Sequence, residues 1–373
     1  MTRTTPPRPL DVEALFPELA AYRGTTTRLH PRPGNPDVSA SSVGGPLLWP
    51  AEEPWPVCTE AHRRRSGRRP ADIRRRRKIL ADAWARAPHS GPTAAERELL
   101  DELNRRHRIP DIADTDPLPL VALAQLYRRD IPDLPAGPDG SDLLQVFCCP
   151  FDAHGPTRYG MLLHLRWRRS DEVGEVLAEP PQPQVVGADG YVPEPCVLHP
   201  EQVVTYPFAG LLPEDLGDRI YAREEALDEE ADEETDEETD EEWDSPWEAD
   251  ERERTGEKGE DERAAENGGD KKVYYQYDLS IPPGWRGGGF ASWHTTDASP
   301  MDCLTCTTPM RLLLTVASSE WDGGSGSWKP TEEADLPPHP FGTPTKVIVG
   351  RAGQLNVFAC PADPGHPHRW SIQ

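Results

Sequence analysis

LLQVFCCPFD at residues 143–152 and QLNVFACPAD at residues 354–363 are two copies of one pattern, and they decide the fold. When 144–152 is set against 355–363, Leu, Val, Phe, Cys, Pro and Asp coincide at six of nine positions. Each copy is a short apolar run that ends at Cys-Pro, which is typical of a buried β-strand followed by a turn.

The sequence around the two copies repeats as well. A glycine pair with tryptophan precedes an apolar strand in both halves, first at 44–55 and 119–127, then at 287–293 and 311–317. Three features in the same order indicate an internal duplication. A few strands cannot bury both faces alone, so we expect the two halves to share one core. The junction of two such halves is a usual place for a binding groove.

The predicted fold class is therefore α+β and mostly β, a strand-rich module duplicated about a pseudo-two-fold axis. We divide the chain into an N-terminal segment with a short helix at 11–22, a first half, an acidic linker and a second half; the bounds are 1–40, 41–210, 211–272 and 273–373. Further strands are predicted at 161–169, 203–206, 273–281 and 346–349.

Residues 60–117 are predicted to be a basic helical hairpin inserted into the first half. Helix-forming composition at 73–87 and 94–108 is separated by the breaker HSGPT. Residues 60–109 contain 14 arginines, so nucleic-acid binding is one interpretation. The other is a solvated basic helix that faces the acidic tract of the same chain. We favour it because aromatic residues are almost absent from the insert and because the acidic tract would compete with phosphate for the same arginines.

Charge is distributed unevenly. The formal net charge is −25, and residues 224–263 hold 23 acidic residues against four basic ones. Like charges at this density repel one another and leave little apolar surface to offset ordering entropy, so we predict that the linker is disordered, or at most a fraying helix.

Composition also bears on location. No apolar run approaches the roughly 20 residues that span a bilayer, and the N-terminus lacks the apolar core of a signal peptide. We therefore expect a cytoplasmic protein without a membrane partner. The chain has seven cysteines, an odd number, so we expect thiols or metal ligands rather than a disulfide framework.

The clearest metal-binding motif is C-x-x-C at Cys303 and Cys306. Two thiolates on a tight turn suit tetrahedral zinc, which needs four ligands. The remaining ligands could be Cys58 with His62, or Cys360, which stands on the repeat element. The alternative is a pair of buried thiols that cap a turn, in which case no cofactor is bound.

No catalytic arrangement is evident. The sequence lacks a G-x-S-x-G elbow, an H-E-x-x-H helix motif and a Walker-type loop, so we expect a protein that is not an enzyme. A metal-dependent enzyme built on Cys303 and Cys306 remains the alternative.

Aromatic residues supply the candidate ligand-binding surface. Large aromatic side chains bury much area, so most of these tryptophans are expected in packing positions. As a functional alternative, they line a groove for an extended peptide, with a glutamine that hydrogen-bonds its backbone. The candidate residues are Trp49, Trp55, Gln125, Trp293, Trp321 and Trp328.

These motifs give the chain a family resemblance. GGPLLWPAEEPWP, PLVALAQLY, LLQVFCCPFD, GGFASW and GRAGQLNVFAC resemble the YwqG-like bacterial domains of unknown function, which are grouped with the programmed-cell-death-protein-2-like proteins in the TYPP superfamily. The resemblance covers roughly 41–58, 118–169 and 273–373. It implies a duplicated β-rich fold and a chaperone-like, peptide-binding or toxin-immunity role. The arginine-rich insert and the acidic tract lie outside it.

Overall fold

The computed structural model describes the chain except residues 1, 110, 153, 155–159, 241–271, 323 and 336–341, and it describes residues 229–240 by their backbone alone. The α-helices are α1 (Val12–Leu15), α2 (Pro70–Arg86), α3 (Ala94–Leu103) and α4 (Glu214–Asp240). The strands are β1 (Gly24–Arg28), β2 (Arg32–Pro33), β3 (Ser42–Val43), β4 (Val57–Cys58), β5 (Ser66–Gly67), β6 (His107–Arg108), β7 (Leu118–Pro119), β8 (Val121–Tyr127), β9 (Leu143–Cys148), β10 (Leu163–Arg168), β11 (Cys196–Val197), β12 (Glu201–Thr205), β13 (Arg286–Gly287), β14 (Arg311–Ala317), β15 (Gln354–Ala359) and β16 (Arg369–Ile372).

Two antiparallel six-stranded sheets form the body of the protein. Sheet 1 has the order β10-β9-β8-β3-β11-β2, and sheet 2 has the order β12-β1-β13-β14-β15-β16. The α+β, mostly β prediction is confirmed. Within the described ranges, no helix has both the length and the apolar content that a membrane crossing requires.

The two sheets repeat the same local details. Gln125 pairs with Gln145 across β8 and β9, and Thr315 pairs with Asn356 across β14 and β15. Both strand pairs carry a register irregularity at the same place, between 122 and 124 in one and between 312 and 314 in the other. The segments around Phe147 and Phe358 are therefore equivalent strands, as the duplication predicts.

The glycine pairs before these strands are required by the backbone. Gly44 and Gly288 have φ angles of 64° and 63°, in the left-handed region that glycine adopts readily. A Cβ atom on Gly44 would lie 2.8 Å from the Glu194 carbonyl oxygen, and one on Gly288 would lie 2.2 Å from that of Asp133. The repeated glycines thus permit another chain segment to approach closely in each half.

The halves exchange strands, which the sequence division did not anticipate. Strands β1 and β12 belong to sheet 2, although they lie in the N-terminal segment and in the predicted first half. Each crossover between sheets contains the tripeptide Leu-His-Pro, at 29–31 between β1 and β2 and at 198–200 between β11 and β12. The predicted boundaries at 40 and 210 therefore do not separate independent units.

A single core lies between the sheets. Leu123, Leu144 and Val146 of sheet 1 pack in one buried cluster with Leu314 and Val357 of sheet 2. Burial of each such side chain contributes roughly 1.5–3 kcal/mol relative to exposure. The interface between the halves is thus the main hydrophobic core.

The basic insert begins and ends at a two-stranded neck, β4–β7, which is separate from the two large sheets. Cys58 of β4 pairs with Leu118 of β7, so residues 59–117 form an excursion between two bonded strands. Helices α2 and α3 form the predicted hairpin, and Thr93 begins α3 with a capping box to Glu96.

Two predicted strands are wrong. Residues Tyr275–Ser280 form a π-helix, in which Tyr275 and Leu279 both face the cluster that includes Phe16 of the N-terminal segment. The Asp278 carboxylate accepts a hydrogen bond from the Tyr274 backbone N–H at 2.9 Å and stabilises the turn. Around 346–349, the described pairing is an isolated bridge from Val349 to Gly353.

The linker prediction also needs correction at its start. The predicted disordered stretch 211–272 begins with helix α4, because Leu216 and Ile220 pack into the same cluster as Phe16. The tertiary contacts of these residues offset the cost of ordering. Residues 241–271, which hold the rest of the acidic tract, lie outside the described residues.

Candidate metal centres

The first candidate centre lies at the neck of the basic insert. It comprises Cys58, His62, Cys149 and His154, all buried, whose ligand atoms lie within 4.8 Å of one another. The His62 Nε2 atom is 3.4 Å from both the Cys58 and the Cys149 sulfur. The His154 Nε2 atom is 4.0 Å from the Cys58 sulfur. We call this group centre 1.

The second candidate centre lies at the equivalent end of sheet 2. It comprises Cys303, Cys306, Cys360 and His366, again with ligand atoms within 4.8 Å of one another. The Cys303 sulfur is 3.5 Å from His366 Nδ1, and the Cys306 sulfur is 3.5 Å from the Cys360 sulfur. We call this group centre 2.

The spacing of both groups fits a tetrahedral ion. With Zn–S near 2.3 Å and Zn–N near 2.0 Å, the edges of a tetrahedron are about 3.3–3.8 Å. The measured contacts of 3.4–4.0 Å fall around these values. Both groups could hold a metal ion with little movement.

The ligands of the two centres correspond one to one. Cys149 and Cys360 follow β9 and β15 directly and are both followed by Pro-x-Asp and a histidine. Cys58 sits opposite Leu118 in the β4–β7 pair, and Cys303 donates its backbone N–H to Thr308 at 2.9 Å in the matching turn. His62 in a C-x3-H motif thus takes the place of Cys306 in C-x-x-C. The 59–117 excursion replaces a short turn within the second-half loop.

Backbone donors favour thiolates at equivalent places. The Glu60 backbone N–H lowers the pKa of Cys58, and those of Cys306 and Thr305 lower the pKa of Cys303. The Phe151 N–H acts in the same way on Cys149, and those of Asp363 and Ala362 on Cys360, although the contact with Cys58 leaves the pKa of Cys149 raised and burial leaves that of Cys360 raised. Charged sulfur is the form that binds metal, so these loops are shaped for ligation.

The electrostatics of the sulfurs agree with this arrangement. A hydrogen bond from Cys149, together with those from His154 and His62, lowers the pKa of Cys58 to about 3. The same contact with Cys58 raises the pKa of Cys149. In centre 2, hydrogen bonds with Thr308 lower the pKa of Cys306 to about 7. Each centre thus concentrates negative charge that a cation would neutralise.

A carboxylate stands behind one histidine of each centre. The His154 Nδ1 atom lies 2.8 Å from Glu60 Oε2, and the His366 Nε2 atom lies 3.4 Å from Asp363 Oδ2. Such carboxylates orient the ring and make the ligating nitrogen more basic. Because four protein ligands already fill a tetrahedron, the arrangement suits a structural ion better than a catalytic one, which keeps a position open.

The sequence predicted part of centre 2. One of the two predicted ligand combinations placed Cys360 with Cys303 and Cys306, and these three residues do lie together. His366 is the fourth ligand of this centre. The other combination is wrong, since Cys58 and His62 form a separate centre with Cys149 and His154. Comparison of the loops after Cys149 and Cys360 would have revealed both histidines.

The six candidate ligand-binding residues do not line one groove. Three of the tryptophans are packing residues of separate regions. Trp49 contacts Trp55 and Phe147 in the first half. The Arg32 guanidinium stacks over the Trp321 ring, and the Trp328 indole N–H donates to the Tyr277 carbonyl. Gln125 is buried, accepts from the Leu48 N–H and donates to the Val38 carbonyl. Trp55 and Trp293 border two different clefts.

Several arginines of the basic insert bind the first half itself. Asp189 accepts from Arg76 at 2.5 Å and from Arg68 at 3.0 Å. Arg77 donates to the Val192 carbonyl at 2.6 Å, and Arg64 is buried with a contact to the Cys58 carbonyl. Most of the acidic tract lies outside the described residues, so the predicted contact between the insert and that tract stays a prediction.

No protein-family model matches this chain, and a search among curated proteins also found no match. The resemblance to YwqG-like domains therefore stays a prediction. The assignments that follow depend on the geometry of the two halves.

Proposed function

We propose that this chain is a non-enzymatic protein- or peptide-binding protein whose two halves are each stabilised by a structural zinc ion. The observation that carries the zinc assignment is the recurrence of a complete four-ligand set on equivalent loops of both halves. Duplicated ligands with duplicated backbone donors are difficult to explain as unrelated buried thiols.

Ligand chemistry favours zinc over other ions. Sets of two cysteines with two histidines, and of three cysteines with one histidine, are typical of tetrahedral structural zinc. Calcium and magnesium prefer oxygen ligands, which neither set contains. The zinc ions would fasten the turn after β9 to the neck of the insert and the turn after β15 to the C-x-x-C loop.

The binding role is supported by a cleft where the halves meet. Its volume is about 730 Å³, and it lies between residues 132–136 of the first half and sheet 2. Its walls include Trp293, Met310 and Phe358, so it offers aromatic and flexible apolar contacts. Such a cleft agrees with the chaperone-like or immunity-like roles that the family resemblance implies.

Metal analysis tests the zinc assignment. We expect native mass spectrometry of freshly purified protein to show two zinc ions per chain, and one in each of the variants Cys58→Ser and Cys303→Ser. A matched control is Cys196→Ser, which removes a buried thiol that donates to the Pro344 carbonyl outside both centres. Folded wild-type protein that contains no metal, even after incubation with zinc, would refute the assignment.

A further inference from the structure

The cleft at sheet 2 has an equivalent at sheet 1. The first-half cleft is bordered by Gly44, Gly45 and Val121, and the second-half cleft by Gly288, Gly289 and Arg311. These residues occupy matching positions in the two halves. The first-half cleft has a volume of about 270 Å³, and the second-half cleft about 730 Å³. The two clefts therefore lie on equivalent surfaces, but protein atoms fill more of the first-half cleft than of the second-half cleft.

A segment of the chain itself covers the surface in the first half. The Leu177 N–H donates to the Trp49 carbonyl at 2.8 Å, and Val185 packs in the cluster that contains Trp49 and Phe147. Between these anchors the chain reads EPPQPQ, and residues 180–183 form one wall of the first-half cleft. An extended, proline-containing segment is thus the occupant that this surface accepts.

The equivalent surface in the second half lacks such a cover among the described residues. The Trp293 carbonyl, which matches that of Trp49, accepts a hydrogen bond from the Gln276 side chain at 3.3 Å, whereas the Trp49 carbonyl accepts from the backbone N–H of the covering segment. The matching cluster has four buried members among the described residues, with Phe208, Ala298, Met301 and Met310 packed against it, whereas the first-half cluster has nine buried members. Leu211 borders the cleft with 52% of its surface exposed.

The indole N–H of Trp49 has a hydrogen-bond acceptor, whereas the matching indole N–H of Trp293 has none among the described residues. The Trp49 Nε1 atom donates to the Glu53 carbonyl at 2.9 Å. The Trp293 side chain borders the second-half cleft, its Nε1 atom is buried, and no described residue accepts its hydrogen bond. An unpaired buried donor costs free energy, so a ligand carbonyl that reaches Nε1 when the Trp293 side chain shifts toward the cleft would be favourable here.

We propose that the second-half cleft binds an extended, proline-containing peptide segment of a partner protein, in the manner in which residues 177–185 cover the first half. This inference deepens the proposed binding function and depends on it. Proline-rich segments lose little entropy on binding because they are already extended, and they dock in grooves lined by aromatic side chains. Prolines lack an N–H, while their carbonyls remain free to accept from Trp293.

The chain provides its own probe. We would titrate zinc-loaded full-length protein into a fluorescently labelled peptide with the sequence of residues 177–185, LAEPPQPQV, and follow anisotropy. A second peptide replaces its three prolines with alanine. We expect the first peptide to bind at least about tenfold more tightly than the second, since alanine leaves the free peptide more conformational freedom to lose.

Two variants locate the site. Leu211→Glu places a charge on the rim of the cleft at an exposed position, and we expect it to weaken binding about tenfold. Trp293→Phe removes the indole donor but keeps an aromatic ring, and we expect a loss of about fivefold, as for one hydrogen bond. Leu15→Glu is the matched control, an exposed leucine in α1 that does not border the cleft.

The outcomes separate this inference from the proposed function. Equal binding of the proline and alanine peptides, weakened by Leu211→Glu, would refute the preference for proline and retain the cleft as a peptide site. Binding that is unchanged in Leu211→Glu would place the peptide elsewhere and overturn the inference. If neither peptide binds while the protein holds two zinc ions, the peptide inference fails and the zinc assignment stands.

Discussion

Cys149 and Cys360 occupy the same position in the two halves, two residues after the phenylalanine that anchors each central strand. Each thiol lies at the end of its strand and faces a ligand pair from a separate loop. The residue before each, Cys148 or Ala359, belongs to the opposite face of the strand and packs at the shared core. One strand thus contributes to the hydrophobic core and to a metal centre on alternate residues.

This alternation predicts contrasting effects for adjacent cysteines. Cys149→Ser should lose one zinc ion per chain and lower the free energy of unfolding by about 4 kcal/mol, because loss of a structural metal is among the largest single-residue effects. Cys148→Ser should keep both ions, since its fully buried thiol lies in the core and burial raises its pKa to about 12. Native mass spectrometry and urea unfolding provide the two measurements. Equal zinc loss in both variants would show that the centre does not depend on this geometry.

The carboxylate behind His154 should tune centre 1 without being a ligand. Glu60→Ala removes the oxygen that lies 2.8 Å from His154 Nδ1, and we expect the zinc affinity of centre 1 to fall about tenfold. Competition with a chromophoric chelator measures this affinity, and the affinity of centre 2 should be unchanged. Glu52→Ala, an exposed acid nearby in sequence, is the control. An unchanged zinc affinity in Glu60→Ala would show that the Glu60 carboxylate does not influence His154 as a ligand.

A buried ion cluster should make stability depend on pH. Burial opposes the charge of Glu320, but the hydrogen bond from His30 and the charge of Arg32 hold the pKa of Glu320 below its usual value. Because the folded state has the lower pKa, this contribution is present above about pH 4.5 and is lost as the pH falls. Glu320→Gln should therefore cost about 3 kcal/mol at pH 7.

The comparison with wild type isolates this effect from metal release, which acid promotes in both proteins. We expect the difference in unfolding free energy between wild type and Glu320→Gln to shrink below pH 4.5 in urea titrations. Glu52→Gln should show no such difference at any pH. A difference that stays constant from pH 7 to pH 3 would contradict the assigned direction of the Glu320 pKa.

The basic hairpin should loosen when its anchor is removed. Asp189 accepts from Arg68 and Arg76, so Asp189→Ala leaves two partly buried cations without their partner. We expect faster amide hydrogen exchange across α2 and α3, and unchanged zinc content at centre 2. Asp171→Ala is a suitable control because its ion pair with Arg169 is exposed and contributes little. Unchanged exchange in α2 would show that packing alone holds the hairpin.

The sequence revealed those features that depend on local pattern. The repeated Phe-x-Cys-Pro strands predicted the duplicated sheets, and the C-x-x-C turn predicted half of centre 2. Centre 1 was missed because its ligands come from two segments far apart in the chain, 58–62 and 149–154, and include only one short motif, the C-x3-H of Cys58 and His62. The 59–117 excursion also separates these residues from Leu118, their structural neighbour.

Strand exchange shows where local pattern is insufficient. A five-residue strand such as β1 carries no information in its own sequence about which sheet it will join. Its place is decided by pairing with Glu201–Thr205 on one side and Arg286–Gly287 on the other. The Leu-His-Pro crossovers repeat in sequence, but only the sheet order shows that they carry strands between the halves.

The sequence by itself determined that the chain contains two related strand-rich halves, an inserted helical hairpin and cysteines suited to metal. These are properties of composition and periodicity, which act over a few residues. The tertiary structure alone decided which ligands meet, which sheet each exchanged strand joins, and that a described segment of the chain covers one cleft but not its equivalent. Those features join residues far apart in the chain, and their energies arise only when the complete fold brings the partners into contact.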